Sequence, residues 1–334
     1  MKKLIVHIGY PKTATTTLQH NLFKGLNKSG EIAWLHGNPH FNDNSKLIVR
    51  AEAHIAEITG DGRDNFTEED LEKEKDGFKM INKEISVISD ESLSFKFPDF
   101  SWVYSRDAIQ NMEKIKTLFS PYFDSIEIIM TARNQQTIIP SFYVQCYKRL
   151  VSEDSRFTDM ATWVNERFSM HAQDLIFDYA QMYGACASVF GKKKVHILIY
   201  EDLLHDKTSF YSALGRVLNV NSAEIERLIE INTQNTTKKS KEGYLGTKNS
   251  AFHKRIVSPV RKLIFKNSNS SFYKKCQELY LLIVPKSFRV AQTSIKKLSG
   301  KDLEFIHQRF LISNKELIEN GDLDTEKMKR YKYI

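Results

Sequence analysis

The chain has 334 residues, of which 41% are hydrophobic and 27% are charged, as is ordinary for a globular enzyme with one large or two small domains. No apolar run approaches the roughly 18 residues of a membrane-spanning helix, so no membrane span is expected. The formal net charge of +8 favours an anionic partner, which could be a polyphosphorylated cofactor, an acidic glycan, nucleic acid or a membrane surface.

Two features predict a cytoplasmic protein. The three cysteines, Cys146, Cys186 and Cys276, are scattered without the spacing of a disulfide framework or a metal site. The N-terminal segment 1–8 is positively charged, but its apolar run is too short for a signal peptide and leads into a loop. We therefore interpret this segment as the first strand of the fold.

Short β-branched runs predict four buried strands, at residues 4–8, 85–88, 126–131 and 195–200. Helical periodicity between them predicts helices at 18–26, 109–118 and 176–190, the first ended by Gly30 and the last by Gly191. The acidic segment 59–74 is interpreted as a surface loop with a helix. Strands that alternate with helices predict an α/β fold with a parallel sheet and right-handed crossovers.

Beyond residue 200 the strand pattern fades. Helices are predicted at 207–219, 222–231, 270–284 and 301–320, and the segment 232–250, rich in Asn, Thr, Lys and Gly, is predicted to be a long loop. We expect a single domain over residues 1–334, with an α/β core at 1–235 and a mainly helical C-terminal part at 236–334. A separate small domain from about residue 240 is the alternative.

The stretch HIGYPKTATTTLQ, residues 7–19, follows the first predicted strand and predicts an anion-binding loop. A loop from a parallel strand to a helix N-terminus directs backbone N–H groups and the positive end of the helix dipole outward. Lys12 adds a full charge, and further hydroxyl donors are available on Thr13, Thr15, Thr16 and Thr17. A capped helix start is the structural alternative.

The same stretch lacks the arrangement of a nucleoside-triphosphate loop, in which the Lys stands directly before the Ser or Thr that binds magnesium. Lys12 comes three residues before Thr15, and the third predicted strand ends in Thr-Ala-Arg without an Asp. The pattern therefore favours an anion site that needs no metal, and none of the sequence patterns predicts a metal ligand set.

Pro11-Lys12-Thr13-Ala14-Thr15-Thr16 resembles the 5′-phosphosulfate loop of sulfotransferases that use 3′-phosphoadenosine 5′-phosphosulfate (PAPS), usually Pro-Lys-Ser/Thr-Gly-Thr-Thr. The resemblance implies a P-loop-type sheet and a PAPS co-substrate whose 5′-phosphosulfate is bound by Pro11, Lys12, Thr13, Ala14, Thr15, Thr16 and Thr17. Lys12 would stabilise the charge on the departing phosphate. Ala14 stands where Gly is usual, so we expect a negative φ at this position.

A second motif, MTARNQQTIIPSFYVQCYKR at residues 130–149, extends the resemblance. In the family an Arg at this strand end and a Ser eight residues later bind the 3′-phosphate, and Arg133 and Ser141 have this spacing. Arg offers a planar fork for phosphate, whereas Ser141 reaches the same group only if the chain bends near Pro140. The structural alternatives are a salt bridge for Arg133 and an ordinary helix serine for Ser141.

Further segments resemble the family. The wider pattern resembles bacterial members thought to act on carbohydrates, and consists of Arg133, Gln135, Ser141, Tyr143, Gln145 and Lys148. Tyr200-Glu201-Asp202-Leu203 resembles a family segment to which we assign a structural role, and residues 309–324 resemble the tail of bacterial members. Lys254 and Arg255 are further candidates for the 3′-phosphate.

The acceptor must lose a proton, and the best candidate for the base is Glu91 in VISDESLSF, residues 87–95. Strand ends line the ligand crevice of a parallel sheet, and bacterial members have a similar Ser-x-Glu. The structural alternative is that Glu91 caps the following helix or pairs with Arg133. His36 and His40 are the other candidates for the base.

The predicted activity is transfer of a sulfuryl group from PAPS to a hydroxyl or amine of a glycan, with a small hydroxylated metabolite as the alternative acceptor. Five aromatic residues could form an acceptor site but could equally lie in a core: Trp34, Trp102, Tyr104, Trp163 and Phe168.

Two other functions are less favoured. One is a P-loop kinase, with Asp90 as a magnesium ligand. The other is a non-enzymatic basic module for nucleic acid or acidic lipid. The Lys-rich C-terminal third, for example Lys238-Lys239 and Lys296-Lys297, supports it, but no aromatic stacking motif accompanies these charges. No nucleic-acid partner is therefore expected, and the sequence specifies no oligomeric state.

Overall fold

The computed structural model describes residues 1–35, 51–59, 67–94, 105–169, 177–230, 243–249 and 290–334. The chain divides into two compact units. The first consists of Met1–Ile138, Met170–Gln234 and Phe305–Ile334, and the second of Ile139–Ser169 and Asn235–Glu304. Whether these units are one domain, as the sequence predicts, stays a prediction.

The first unit is built on a parallel five-stranded sheet with the strand order β2-β3-β1-β4-β5. The strands are β1 (Lys3–Gly9), β2 (Ala33–Leu35), β3 (Ile85–Ser89), β4 (Ser125–Ala132) and β5 (Val195–Ile199). The four predicted strands are confirmed as β1, β3, β4 and β5. β2 was not predicted, because three residues are too few to show a periodic pattern. The α/β fold with a parallel sheet and flanking helices is thereby confirmed.

Helices make up most of the rest of the described chain. They are Thr15–Thr17, the π-helical Leu18–Phe23, Lys24–Ser29, Glu52–Thr59, Glu68–Met80, Ser105–Phe119, Gln135–Glu153, Met160–Arg167, Tyr179–Phe190, Tyr200–His205, Lys207–Leu218, Ser222–Glu230, Gly300–Asn320 and Thr325–Arg330. Short 3₁₀ turns lie at Glu91–Leu93, Ser155–Thr158 and Lys192–Lys194. Gly30 ends the first helical segment with φ 79°, as the sequence predicts.

Two details of the first unit differ from the sequence prediction. The helix Glu52–Thr59 was not predicted. Glu74, at the end of the segment predicted to lie on the surface, is buried instead. Its carboxylate accepts from the backbone N–H groups of Ala53 and His54, at 2.9 and 3.1 Å, and lies 2.6 Å from Nδ1 of His54. Glu74 is buried because it provides hydrogen-bond acceptors for buried N–H groups at the start of that helix, which have no acceptor within the helix.

The second unit contains an antiparallel pair, β6 (Gly243–Asn249) and β7 (Val290–Lys296). The predicted long loop at 232–250 is therefore wrong at residues 243–249. The segment has weak strand propensity, and its pairing with a strand far away in the sequence decides its conformation. In the same unit Trp163 is buried against the rings of Phe142, Tyr143 and Phe168.

Of the remaining predicted helices, 207–219, 222–231 and 301–320 are confirmed to within one or two residues. The predicted helix 270–284 lies outside the described residues. So do the candidates His36, His40, Trp102, Tyr104, Lys238, Lys239, Lys254, Arg255 and Cys276. Within the described part of the chain, none of the helices has the length and apolar character needed to cross a membrane.

Candidate active site

The loop that follows β1 turns sharply at two left-handed residues, Lys12 (φ 71°) and Ala14 (φ 65°). The prediction of a negative φ at Ala14 is wrong. Thr13 donates both its backbone N–H and its hydroxyl to the carbonyl of Tyr10, at 3.3 and 2.6 Å, and the carbonyl of Ala14 accepts from N–H of Leu18. These bonds close the turn and start the helix together, so the backbone reverses at Ala14 despite its Cβ. An L-residue in this conformation costs about 1–2 kcal/mol.

The last residue of β1, Gly9, must lack a side chain because the loop passes close to it. A Cβ at this position would lie 2.0 Å from Cγ2 of Thr15. The carbonyl of Gly9 also accepts from the hydroxyl of Ser94, at 3.1 Å, which ties the loop to the turn that follows β3. The loop is therefore held against the end of the neighbouring strand β3.

The predicted threonine donors fall into two groups. Thr13 and Thr15 are buried, and both donate their hydroxyls within the protein, Thr13 to Tyr10 and Thr15 to the carboxylate of Glu91. Thr16 is exposed and Thr17 is partly exposed. The side chains of Thr16 and Thr17 are thus the accessible hydroxyls, whereas Thr13 and Thr15 shape the loop. Pro11 is buried and Lys12 is partly exposed.

Arg133 follows β4 and lies against the same loop. Its Nη1 donates to the carbonyl of Lys12 at 2.7 Å, and its Nε donates to the hydroxyl of Thr137 at 3.0 Å. Its guanidinium stacks on the ring of Tyr200, with Cζ 4.5 Å from the ring centroid. Among the residues that the structure describes, Nη2 makes no hydrogen bond. The predicted salt-bridge alternative for Arg133 does not occur among these residues, and one side of the fork stays available for an anion.

The backbone of Arg133 is held by Tyr179. The tyrosine hydroxyl accepts from N–H of Arg133 at 3.2 Å and donates to the carbonyl of Arg133 at 2.7 Å. Burial raises the pKa of the Tyr179 hydroxyl, so it keeps its proton and can make both bonds. Both the main chain and the side chain of Arg133 are therefore fixed.

Ser141 lies in the helix Gln135–Glu153 and is buried. Pro140 is inside this helix, where it has no N–H to donate to the preceding turn, and such a residue bends a helix. Pro140 therefore stands next to Ser141, where a bend would be needed for the serine to reach the 3′-phosphate. Its role at the 3′-phosphate stays a prediction.

Glu91 is the first residue of the 3₁₀ turn Glu91–Leu93, and the N-cap of this turn is Asp90. Oδ1 of Asp90 accepts from the backbone N–H of Ser92 at 2.8 Å and from its hydroxyl at 2.6 Å. Asp90 therefore performs the capping that the structural alternative assigned to Glu91. The partner of the Glu91 carboxylate is the hydroxyl of Thr15 and not Arg133.

The environment of Glu91 favours a proton acceptor. Burial raises the pKa of its carboxyl above the ordinary value, and the nearby charge of Asp90 acts in the same direction. The Thr15 hydrogen bond and the charge of Lys12 oppose this rise. A carboxylate with a raised pKa is a stronger base than an exposed one.

Sequence reasoning missed His7, which is buried at the centre of the sheet. Its Nδ1 lies 2.7 Å from the hydroxyl of Ser89 in β3, and its Nε2 lies 3.2 Å from the hydroxyl of Thr131 in β4. Gln19 donates to both the carbonyl and the hydroxyl of Ser89, at 3.1 Å each. Burial lowers the pKa of His7 to about 4, so the ring is neutral at pH 7. A polar His within an apolar strand was the only sequence feature that could have identified it.

His7 joins the ends of the three central strands. β3 leads to Glu91, β1 to Lys12 and β4 to Arg133, so each strand end carries one candidate residue. Strand ends of a parallel sheet line the ligand crevice. Within the described part of the chain, no group of three His, Cys, Asp or Glu side chains could hold a metal ion.

Comparison with known proteins identifies the family. Residues 2–278 match the family model described as "Sulfotransferase domain". The chain belongs to the sulfotransferase family. It is therefore an enzyme of this class, as the sequence resemblance predicts.

Two solved structures are similar to this chain. A sulfotransferase from Alicyclobacillus acidocaldarius is similar over 99% of this chain and 100% of its own, with 11% identity and a TM-score of 0.50. Retinol dehydratase, solved in complex with androsterone and the inactive cofactor PAP, covers 97% of this chain and 82% of its own, with 13% identity and a TM-score of 0.35. A search of curated proteins gave no significant match.

Proposed function

We propose that this sulfotransferase transfers a sulfuryl group from PAPS to a hydroxyl or amine of a glycan. The choice of PAPS as the sulfuryl donor rests on the hydrogen bond from Nη1 of Arg133 to the carbonyl of Lys12. It holds an arginine fork beside the anion-binding loop, so that one rigid arrangement offers cations to two separate phosphate groups. PAPS carries a 5′-phosphosulfate and a 3′-phosphate, and it matches this arrangement.

In the proposed reaction the acceptor oxygen or nitrogen attacks sulfur in line with the bond to the 5′-phosphate. The new bond to sulfur forms as the bond from sulfur to the bridging phosphate oxygen breaks, and 3′,5′-bisphosphoadenosine (PAP) leaves. Lys12 and the N–H groups of the loop stabilise the negative charge that builds on the leaving phosphate. The acceptor proton passes to the carboxylate of Glu91.

Glu91 suits this role because of its hydrogen bond with Thr15. The bond fixes the carboxylate beside the loop that would hold the sulfuryl group. Asp90, the candidate magnesium ligand of a kinase, instead accepts two hydrogen bonds from Ser92. These hydrogen bonds of Glu91 and Asp90 therefore favour sulfuryl transfer over a kinase reaction.

The glycan acceptor rests on the resemblance of the pattern from Arg133 to Lys148 to bacterial members thought to act on carbohydrates. Of the aromatic candidates, those that the structure describes give no support, because Trp34, Trp163 and Phe168 are buried core residues. A small hydroxylated metabolite is the alternative acceptor. The cytoplasmic location and the lack of a nucleic-acid partner stay predictions.

Thermal unfolding with added ligands tests the donor. PAP at about 100 times its dissociation constant should stabilise the fold by about 2.7 kcal/mol, whereas ATP with magnesium should not. Equal stabilisation by ATP with magnesium would contradict the proposal. Transfer of label from PAPS to a panel of glycans and hydroxylated metabolites then tests the acceptor, and incorporation into metabolites alone would exclude the glycan.

A further inference from the structure

The segment Tyr331–Tyr333, here called the 331–333 segment, follows the helix Thr325–Arg330 and lies against the turn after β4. Tyr331 and Tyr333 are buried, and Tyr333 is 0% exposed. The backbone carbonyls of Tyr331 and Lys332 accept from Nδ2 of Asn134, at 2.9 and 2.7 Å. Asn134 directly follows Arg133, so the segment is bonded to the residue next to the proposed phosphate ligand.

Asn134 has a partner for each of its side-chain groups. Both N–H bonds of its amide go to the 331–333 segment, and its Oδ1 accepts from N–H of Gln136 at 2.8 Å, where the helix Gln135–Glu153 begins. Its backbone N–H donates to Oε1 of Glu201 at 3.0 Å. A fully bonded, buried amide fixes the backbone at its position.

Glu201 links the turn to the segment a second time. Its Oε2 accepts from the hydroxyl of Tyr333 at 2.9 Å, while its Oε1 accepts from Asn134. The next residue, Asp202, accepts from the hydroxyl of Tyr331 at 2.9 Å. Glu201 and Asp202 of the Tyr-Glu-Asp-Leu motif therefore each accept one hydrogen bond from a tyrosine of the segment. These two bonds are a structural role of the kind that we assigned to the motif.

A third link passes through Gln135. Its side-chain amide and that of Asn314 donate to each other, at 2.9 and 3.1 Å, and Nδ2 of Asn314 also donates to the carbonyl of Tyr333 at 2.9 Å. Both amides are buried. This link gives the Gln of the Arg-x-Gln pattern a structural role.

These contacts bear on Arg133 because an arginine side chain loses rotamer entropy on binding unless it is already fixed. Tyr179 holds the main chain of Arg133, and the 331–333 segment holds the two residues that follow it. The stacking face, Tyr200, directly precedes Glu201. The same network therefore sets the positions of the arginine and of the ring beneath it.

We propose that the 331–333 segment is a positioning element for Arg133 and determines how strongly the enzyme selects a 3′-phosphorylated nucleotide. This inference rests on the proposed function, in which Arg133 binds the 3′-phosphate. The segment does not touch the ligand. It acts through Asn134, Gln135 and Glu201.

The test compares ligands that differ only in the 3′-phosphate, PAP and adenosine 5′-phosphate, by calorimetry. Three variants are measured beside the wild type. Two change the segment, Tyr333→Phe and a chain that ends at Arg330. The third, Lys329→Ala, removes an exposed charge from the helix Thr325–Arg330 and serves as the control. The preference for PAP should fall about tenfold or more in the shortened chain and about threefold or more in Tyr333→Phe. Affinity for adenosine 5′-phosphate should stay unchanged, and Lys329→Ala should keep the full preference.

The outcomes are distinguishable. A wild type without preference for PAP would overturn the proposed function and this inference together. A wild type with the preference, and variants that keep it or that lose affinity for both nucleotides equally, would overturn the inference alone. If the shortened chain does not fold, Tyr333→Phe decides, because it removes one hydroxyl and leaves the buried ring in place.

Discussion

The hydroxyl of Thr15 donates a hydrogen bond to the carboxylate of Glu91, two residues that lie 76 positions apart in the chain. The bond joins the first residue of the helix after β1 to the first residue of the turn after β3. The loop that would hold the sulfuryl group and the residue that would accept the proton are thus one connected unit. This relationship makes Glu91 the first residue to test.

Glu91→Gln should leave the affinity for PAP almost unchanged and reduce the transfer rate by roughly 10²- to 10⁴-fold, because the amide cannot accept the proton. The pKa of Glu91 is raised by burial, so in the wild type the rate should fall as the pH drops through a value above the usual carboxyl range. This acidic limb should be absent in the variant. Rate profiles from pH 4 to pH 9, with the exposed Glu226→Gln as control, check both points. A variant that loses PAP affinity but keeps its rate would make Glu91 structural.

Lys12→Ala should reduce transfer by on the order of 10²-fold or more, because the charge beside the leaving phosphate is lost. The fold should persist, since Arg133 bonds to the backbone carbonyl of Lys12 and not to its side chain. Single-turnover rates and thermal unfolding measure the two effects. Lys28→Ala, at an exposed position of the following helix, is the matched control. Near wild-type turnover in Lys12→Ala would remove Lys12 from the mechanism.

Arg133→Ala should weaken PAP by about 10- to 100-fold, the range expected for hydrogen bonds to a charged group. Adenosine 5′-phosphosulfate, which lacks the 3′-phosphate, should lose much less. Calorimetry with both ligands gives the comparison, and Arg227→Ala, an exposed arginine paired with Glu224, controls for net charge. Equal losses for the two ligands would show that Arg133 does not recognise the 3′-phosphate.

Ala14→Gly should stabilise the fold by about 0.5–1 kcal/mol. Relief of the left-handed strain at φ 65° exceeds the added entropy of the unfolded chain. Ala187→Gly, within the helix Tyr179–Phe190, should have the opposite sign and cost about 1 kcal/mol. Urea unfolding of both variants measures the difference. Destabilisation by the substitution at residue 14 would mean that the Ala methyl contributes packing that outweighs the strain.

His7 should make stability depend on pH in a defined window. Its pKa is lowered from 6.5 to about 4, so between these values the unfolded chain binds a proton that the folded protein does not. The free energy of unfolding should therefore have its full value above pH 6.5 and should fall by about 3 kcal/mol as the pH drops to 4. His7→Gln should lose this slope, whereas the exposed His205→Gln should keep it. Denaturant titrations at pH 4.5 and pH 7 would contradict the assignment if His7→Gln retained the full dependence.

The central sheet could be predicted from sequence because its buried β-branched runs are local features. The conformation of Ala14 could not, since alanine ordinarily avoids positive φ and the hydrogen bonds of Thr13 and Leu18 override that preference. The resemblance to the family identified Lys12 and Arg133 as candidates, but it did not indicate their hydrogen bond. Asn134 and Tyr331 are separated by 197 residues, and no pattern within either segment indicates their contact.

The sequence could not decide between an acceptor site and a core for its aromatic candidates, of which Trp34, Trp163 and Phe168 are buried. Sugar-binding faces and core rings have the same composition, and only burial separates them, as Trp163 shows. The burial of polar residues could not be predicted either. Glu74 and His7 are buried because each has hydrogen-bond partners from segments that are distant in sequence. Patterns of hydropathy cannot supply such partners.

The strand order has a consequence for how acceptor preference could be altered. β3, β1 and β4 are neighbours, spaced about 4.8 Å apart, and they lead in turn to Glu91, Lys12 and Arg133. In the proposed mechanism the nucleotide lies over the β1–β4 side and the acceptor over the β3 side. Donor and acceptor recognition are then encoded in different stretches of the chain. Chimeras that exchange the segments around β2 and β3 with those of a relative should change the sulfated product while retaining the same PAP affinity.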